Sequence, residues 1–385
     1  MPKYLQNTKK DILYNKKIIY GKNMKKFTQN MTEYLQPFWK NNKIINETMM
    51  FVGESDVGVL LYEPDSIISV KNYFLDKDYI RNVDYKIEGR KFFRLSDKIP
   101  FWQESEYYTT TFERYRIGAN KEICARLGGE RFLKYGEGDT FTKKQIAVSY
   151  FHKDKWDGPV PQGKSDKFVN TIRKLKEKKP CKLLFYGDSI TTGCNASGTE
   201  QGGNVSPYMP PFPDIIRDYL QGKYGAKIEL INTAVGGMPT IWGLDNIDER
   251  VIAYSPDIIF IAFGMNDPAT PRTRYKEMIT EMIEKTHKAL PDSEIMLVSS
   301  ILPNNESDET WFANQCVFHE DLAEIEKEYQ FVGLANVTVM QEHILKTGKR
   351  YRDMTANNIN HPNDFGHRLY AQVILATLLG KDFDL

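Results

Sequence analysis

Residues 182–193 read as a buried strand that ends abruptly in a turn presenting a serine. Leu183, Leu184, Phe185 and Tyr186 form a short apolar run of β-forming residues bounded by Pro180 and Gly187. That is the pattern of a central parallel strand covered on both faces. Gly187 permits a sharp turn. Asp188-Ser189 then falls at the carboxyl end of the strand, the edge where open α/β sheets place their ligands. Taken alone, the triplet Gly187-Asp188-Ser189 is equally well explained by a strand-end turn in which Ser189 caps a helix. The rest of the chain has to decide between the two readings.

After residue 182 the sequence alternates strand and helix signals. Strand-like runs occur at 227–231, 258–263 and 295–299, and helix-like segments separate them. This is the signature of a parallel sheet with crossover helices. In the segment 275–290, Met278, Met282 and Ile283 share an inward stripe, so these methionines are expected to fill core. A final helix carries Leu369, Val373, Ile374 and Leu378 on its apolar side.

Upstream the pattern differs. Short β-type runs at 49–52, 58–62, 66–70, 91–95 and 145–150 are separated by turn residues with almost no helical period, which predicts a jelly-roll-like β-sandwich. Its aromatic residues, among them Trp102, Tyr107, Tyr108, Phe112 and Tyr115, suit either core packing or a sugar-stacking surface. Turn formers cluster at 156–164, and a charged helix follows at 167–178. We therefore expect two domains, 1–160 and 166–385.

Composition excludes several function classes. The 385 residues hold 52 Lys+Arg against 51 Asp+Glu, a net charge of +1, which gives no broad field for nucleic acid or an anionic membrane. The lysine-rich run 16–26 is interleaved with apolar residues and reads as a solvated strand face. Cys124, Cys181, Cys194 and Cys316 lie far apart with no histidine cluster, so no metal site, cofactor or disulfide framework is expected. The first thirty residues lack an apolar segment, and no stretch approaches the about 18 apolar residues of a membrane span. A cytoplasmic location is the resulting expectation.

Each downstream strand ends in a small-polar cluster: Asn232-Thr233-Ala234-Val235-Gly236-Gly237, then Gly264-Met265-Asn266-Asp267, and near the C-terminus Asn358-Ile359-Asn360-His361-Pro362. Acyl transfer needs a nucleophile, a base and donors aimed at a developing oxyanion. Ser189 can supply the hydroxyl and His361 the base, with the Gly237 amide and the Asn266 side chain as donors. Each has a bland reading as turn, cap or surface residue; four at successive strand ends point to a site.

These blocks resemble the SGNH/GDSL hydrolases, in which Ser, Gly, Asn and His occur in this order. The resemblance covers roughly 182–385 and implies a three-layer α/β/α domain, with Ser189, Gly237 and Asn266 forming the oxyanion hole and His361 acting as base. The family usually has an Asp three residues before the histidine, whereas this chain has Asn358. An asparagine can orient the ring but cannot offset its charge, so a Ser189–His361 dyad is expected, with Asn358 or a backbone carbonyl as possible orienter, unless Asp353 or Asp364 folds back to support the ring.

With an N-terminal sandwich, the whole is similar to two-domain carbohydrate acetyl esterases. The expected activity is that of a serine esterase removing acetyl groups from a small-molecule or oligosaccharide ester. Tyr208, Phe212 and Trp242 lie near the blocks and suit either sugar stacking or loop packing. Cys194 reads as a small core residue. Residues 1–160 hold no nucleophile, base and donor set of their own and are expected to shape the site without performing chemistry. The alternatives are a lipase or thioesterase for longer acyl chains, and an inactive carbohydrate-binding protein. The oligomeric state is not legible.

Overall fold

The structure is a computed structural model that describes residues 27–109, 122–125, 132–309 and 311–383. The lysine-rich run 16–26 and the residues Phe112 and Tyr115 lie outside the described residues.

Among the described residues, nine strands precede residue 160: β1 (Lys43–Met50), β2 (Val57–Val59), β3 (Pro64–Asn72), β4 (Tyr85–Glu88), β5 (Lys91–Arg94), β6 (Tyr108–Thr109), β7 (Glu122–Ala125), β8 (Phe132–Tyr135) and β9 (Gln145–His152). They form three antiparallel sheets, ordered β1-β9-β3, β2-β5-β4 and β6-β8-β7. The antiparallel architecture predicted for this part is present, divided into small sheets. β4 and β6 to β8 were not anticipated, because runs of two to four residues are too short to show a period of two.

Five further strands, β10 (Cys181–Gly187), β11 (Ile228–Asn232), β12 (Ile258–Ala262), β13 (Glu294–Val298) and β14 (Val332–Ala335), build one sheet in the order β11-β10-β12-β13-β14. Every pairing in it is parallel. β10, the strand that leads to Ser189, lies inside the sheet: Leu183 is paired with Leu230 of β11 and with Ile258 of β12.

Its alternation shows why the run must be apolar throughout. Leu183 and Phe185 join a cluster with Phe212, Ile215 and Ile216 of the helix Phe212–Tyr224 and with Leu369, Val373 and Ile374 of the helix Asp364–Leu379. Leu184 and Tyr186 face the other way, toward Met278, Met282 and Ile283 of the helix Arg272–Ala289 and Leu322 of the helix Phe318–Glu328. Helices thus cover both faces, giving the three-layer α/β/α arrangement. Each such side chain contributes about 1.5–3 kcal/mol on burial.

The first of these clusters continues into the antiparallel part, taking in Met49, Phe51, Phe92, Val148 and Tyr150. The strand order places a switch point at β10, where one crossover goes to β11 and the next returns past it to β12. Ligand crevices of open α/β sheets form at such points, outside the carboxyl ends of the strands.

Candidate active site

Gly187 ends β10 where no side chain fits. A Cβ there would stand 2.4 Å from the Ala262 carbonyl oxygen and 2.4 Å from Thr191 Oγ1. The chain turns into the short helix Ser189–Thr192, and its cap is Asp188, whose Oδ1 accepts from the Ile190 amide at 2.9 Å. Burial pushes the Asp188 carboxyl up to about 7. The capping role is therefore filled by the neighbour of Ser189. Ser189 Oγ instead lies 2.9 Å from His361 Nε2.

The loop carrying His361 is organised by Asn357. Its Oδ1 accepts from the amides of Ile359, Asn360 and His361, each at 3.0 Å. Asn363 then caps the helix Asp364–Leu379 through the Gly366 amide. The far side of the ring has two oxygen partners: Asn195 Oδ1 at 2.7 Å and Glu137 Oε2 at 3.3 Å from Nδ1. Both need a proton on Nδ1, which leaves Nε2 to accept from the Ser189 hydroxyl. That tautomer is the one a general base requires.

Asn358 does not fill the orienting place expected of it. Its side chain accepts from the Tyr107 hydroxyl at 2.8 Å and donates to the Lys134 carbonyl at 2.9 Å, bracing the loop against the antiparallel part. A positive φ of 71° turns the backbone here, and the side chain follows it away from the ring. Nor does a nearby aspartate replace it. Asp353 accepts from the Met50 amide and pairs with Arg350, while Asp364 Oδ1 accepts from the Ser197 amide.

Sequence reasoning missed Glu137 and Asn195. Glu137 sits between Gly136 and Gly138 after β8, a turn signal that marks an exposed acid but not its partner. Burial alone would raise its carboxyl; the His361 ring, the Tyr135 hydroxyl and the Asn357 amide outweigh that and hold it at about 2. Through this contact residues 1–160, expected to shape the site without performing chemistry, reach the His361 ring.

The turns carrying Gly237 and Asn266, the oxyanion donors expected from the sequence, are tied together. Asn266 Nδ2 donates to the Met238 carbonyl at 3.3 Å, joining the turn after β12 to the turn after β11. Gly237 has φ +76°, a conformation costly for other residues, and a Cβ on it would meet nothing within 4 Å, so its face is open. Gly236 packs against Ser189, its ideal Cβ 3.6 Å from that of the serine. Asp267 accepts from the amide and the hydroxyl of Thr240, at 3.0 and 2.7 Å from Oδ2, and fixes the same turn.

Among the proposed sugar-stacking residues, Phe212 is fully buried. Trp242 packs beside Tyr186, with the Arg250 guanidinium 5.3 Å from its ring centre. Tyr208 is half-buried, with its carbonyl oxygen 2.6 Å from where a Cβ on Gly198 would stand. A different aromatic pair borders the site: Tyr135, whose hydroxyl bonds Glu137, lies near-parallel to half-buried Trp311 with centroids 6.5 Å apart. Burial raises the Cys194 thiol to about 11, so it is no nucleophile at neutral pH. Among the described residues no cluster of His, Cys, Asp or Glu could hold a metal ion, and no helix is long and apolar enough to cross a membrane.

At the carboxyl ends of this parallel sheet a serine and a histidine stand so that the hydroxyl can lose its proton to the ring, which is what acyl transfer to an oxygen nucleophile needs. Residues 185–369 match the GDSL-like Lipase/Acylhydrolase family. No curated protein matches the chain. Among solved structures, a two-domain esterase active on acetylated mannans is 20% identical with a TM-score of 0.47, over 59% of this chain and 56% of the other. An acetylxylan esterase from Geobacillus stearothermophilus is 21% identical with a TM-score of 0.43, over 53% of this chain and 95% of the other. A GDSL-like lipase from Parabacteroides merdae is 18% identical with a TM-score of 0.43, over 52% of this chain and 96% of the other. This chain thus aligns with little more than half the length of the mannan esterase.

Proposed function

We propose that this protein is a serine esterase that removes short acyl groups, acetyl foremost, from acylated sugars or oligosaccharides through an acyl-enzyme. The observation that carries the reading is the 2.9 Å contact between Ser189 Oγ and His361 Nε2 at the carboxyl edge of the sheet. As Oγ bonds to the acyl carbon, its proton passes to Nε2, and the ring then gives that proton to the departing sugar oxygen. The carbonyl oxygen becomes an oxyanion, for which the Ser189 and Gly237 amides and the second N–H of Asn266 serve as donors. Water, deprotonated by the same ring, releases the acid and restores the serine.

Two features support the substrate class. Ser189 and His361 are only 6% and 8% exposed, which suits a small acyl group better than a long chain. The Tyr135–Trp311 pair offers apolar ring faces on which a sugar can lie.

Acetate release from a panel of acetylated oligosaccharides, with p-nitrophenyl esters of two to twelve carbons alongside, tests the proposal. Wild type should release acetate and prefer the shortest ester, and Ser189→Ala should do neither. Preference for long esters would reassign the protein to the lipases or thioesterases. Absence of all turnover would leave a carbohydrate-binding role.

A further inference from the structure

The histidine of the site is partnered by residues that neither the serine block nor the histidine block contains. We propose that Glu137, delivered by the antiparallel N-terminal part, is the acidic positioning residue of the active site and works jointly with Asn195, so that the complete relay is Ser189–His361–Asn195/Glu137. The inference deepens the esterase reading given above and rests on it.

The geometry divides the work. Asn195 Oδ1, at 2.7 Å, is the nearer acceptor for the Nδ1 proton and fixes the tautomer. Being neutral, it cannot offset the charge that the ring acquires when it takes the Ser189 proton. Glu137 Oε2, at 3.3 Å from the same nitrogen, can. The proton stays on the ring until it leaves with the alcohol. The carboxylate remains ionised throughout and lowers the energy of the imidazolium.

Glu137 is held in place as an acid of a catalytic relay has to be. Its Oε1 accepts from the Tyr135 hydroxyl and, at 3.3 Å, from Asn357 Nδ2, the residue that also shapes the His361 loop. The Gln201 carbonyl accepts from the Gly138 amide at 3.1 Å and from Asn195 Nδ2 at 3.3 Å. One peptide oxygen therefore clasps the Glu137 turn and the Asn195 amide together, and the second bond orients Oδ1 toward the ring. Tyr107 and the Lys134 carbonyl hold Asn358 from the same side. The N-terminal part thus supplies both the charge and part of the frame for the histidine loop. This accounts for an asparagine at position 358, where the resemblance leads one to expect aspartate.

A structural ion pair between the two parts would show the same contact, so the test needs a readout that adhesion would not move. Glu137→Gln keeps shape and removes charge; adding Asn195→Asp to it returns a carboxylate to the ring from the other side. With p-nitrophenyl acetate, Glu137→Gln should lower kcat about 10- to 100-fold, the scale of one charge-assisted hydrogen bond, with KM little changed. The double variant should recover at least tenfold in kcat.

Wild-type kcat in Glu137→Gln would overturn the inference. So would a loss that follows thermal stability and is not recovered in the double variant. Ser189→Ala, assayed in parallel, separates the two readings: turnover surviving in it defeats the esterase proposal itself, whereas an inert Ser189→Ala beside an unaffected Glu137→Gln defeats only the role of Glu137.

Discussion

Glu47 Oε1 lies 2.8 Å from Lys349 Nζ, and both side chains are wholly removed from solvent. The pair joins β1 to the segment that leads into the histidine loop. Both groups are bonded further: Glu47 also accepts from the Leu61 amide and the Tyr150 hydroxyl, and Lys349 donates to the Thr48 carbonyl. Thr48 and Met50 in turn bond the Asp353 carbonyl and carboxylate. Glu47→Ala strands a buried ammonium and should destabilise the protein by about 3–5 kcal/mol. Urea unfolding measures this. Adding Lys349→Met should restore a large part of the loss, and a cost under about 1 kcal/mol for Glu47→Ala would show that the pair is not sealed from water.

Asn266→Ala removes a donor and also the link to the Met238 carbonyl that holds the Gly237 turn. Loss of one oxyanion donor usually lowers kcat by about 10²–10³, with KM little changed because the amide meets the oxygen best once it is negative. Steady-state kinetics on p-nitrophenyl acetate read the split. A defect confined to KM would move Asn266 to substrate binding.

His367 gives a pH-dependent term of defined sign. Its ring is buried, donates to the Cys194 carbonyl at 3.0 Å, and is depressed by that burial from 6.5 to about 4. The unfolded chain takes up the proton below 6.5 and the folded one only below about 4. The contribution is therefore complete above 6.5 and lost progressively toward 4, about 3 kcal/mol across the window. Asp188 and Asp364, raised by burial to about 7 and about 6, slope the opposite way, so the difference between variants is the quantity to measure. His367→Gln keeps an N–H donor and removes the titration. Its stability relative to wild type should improve by about 3 kcal/mol between pH 7 and pH 4. An unchanged difference would place the ring in contact with water.

What the sequence made legible follows from locality. The alternation of Leu183, Leu184, Phe185 and Tyr186 between two buried faces, and the strand-end clusters around Ser189, Gly237, Asn266 and His361, are carried by consecutive residues. Periodicity and turn chemistry report such features directly. Glu137 is 224 residues from His361 and Asn195 is 166 away, and both contacts exist only because the antiparallel part and the loop after Ser189 close over the ring. No local rule distinguishes Glu137 from any other acid beside a glycine. Asn358 misled for a related reason: its position in the block suggested the ring as partner, while its backbone conformation gives it to Tyr107 and Lys134. β14 was passed over because four residues, Val332–Ala335, sit directly after a helix and show no period of their own.

The central claim, that Ser189 is a nucleophile activated by His361, is tested most directly by peptide mass spectrometry after exposure to a fluorophosphonate. The account predicts one adduct per chain, on Ser189, and its near-absence in His361→Ala. An adduct on another residue, together with wild-type ester turnover in Ser189→Ala, would contradict it.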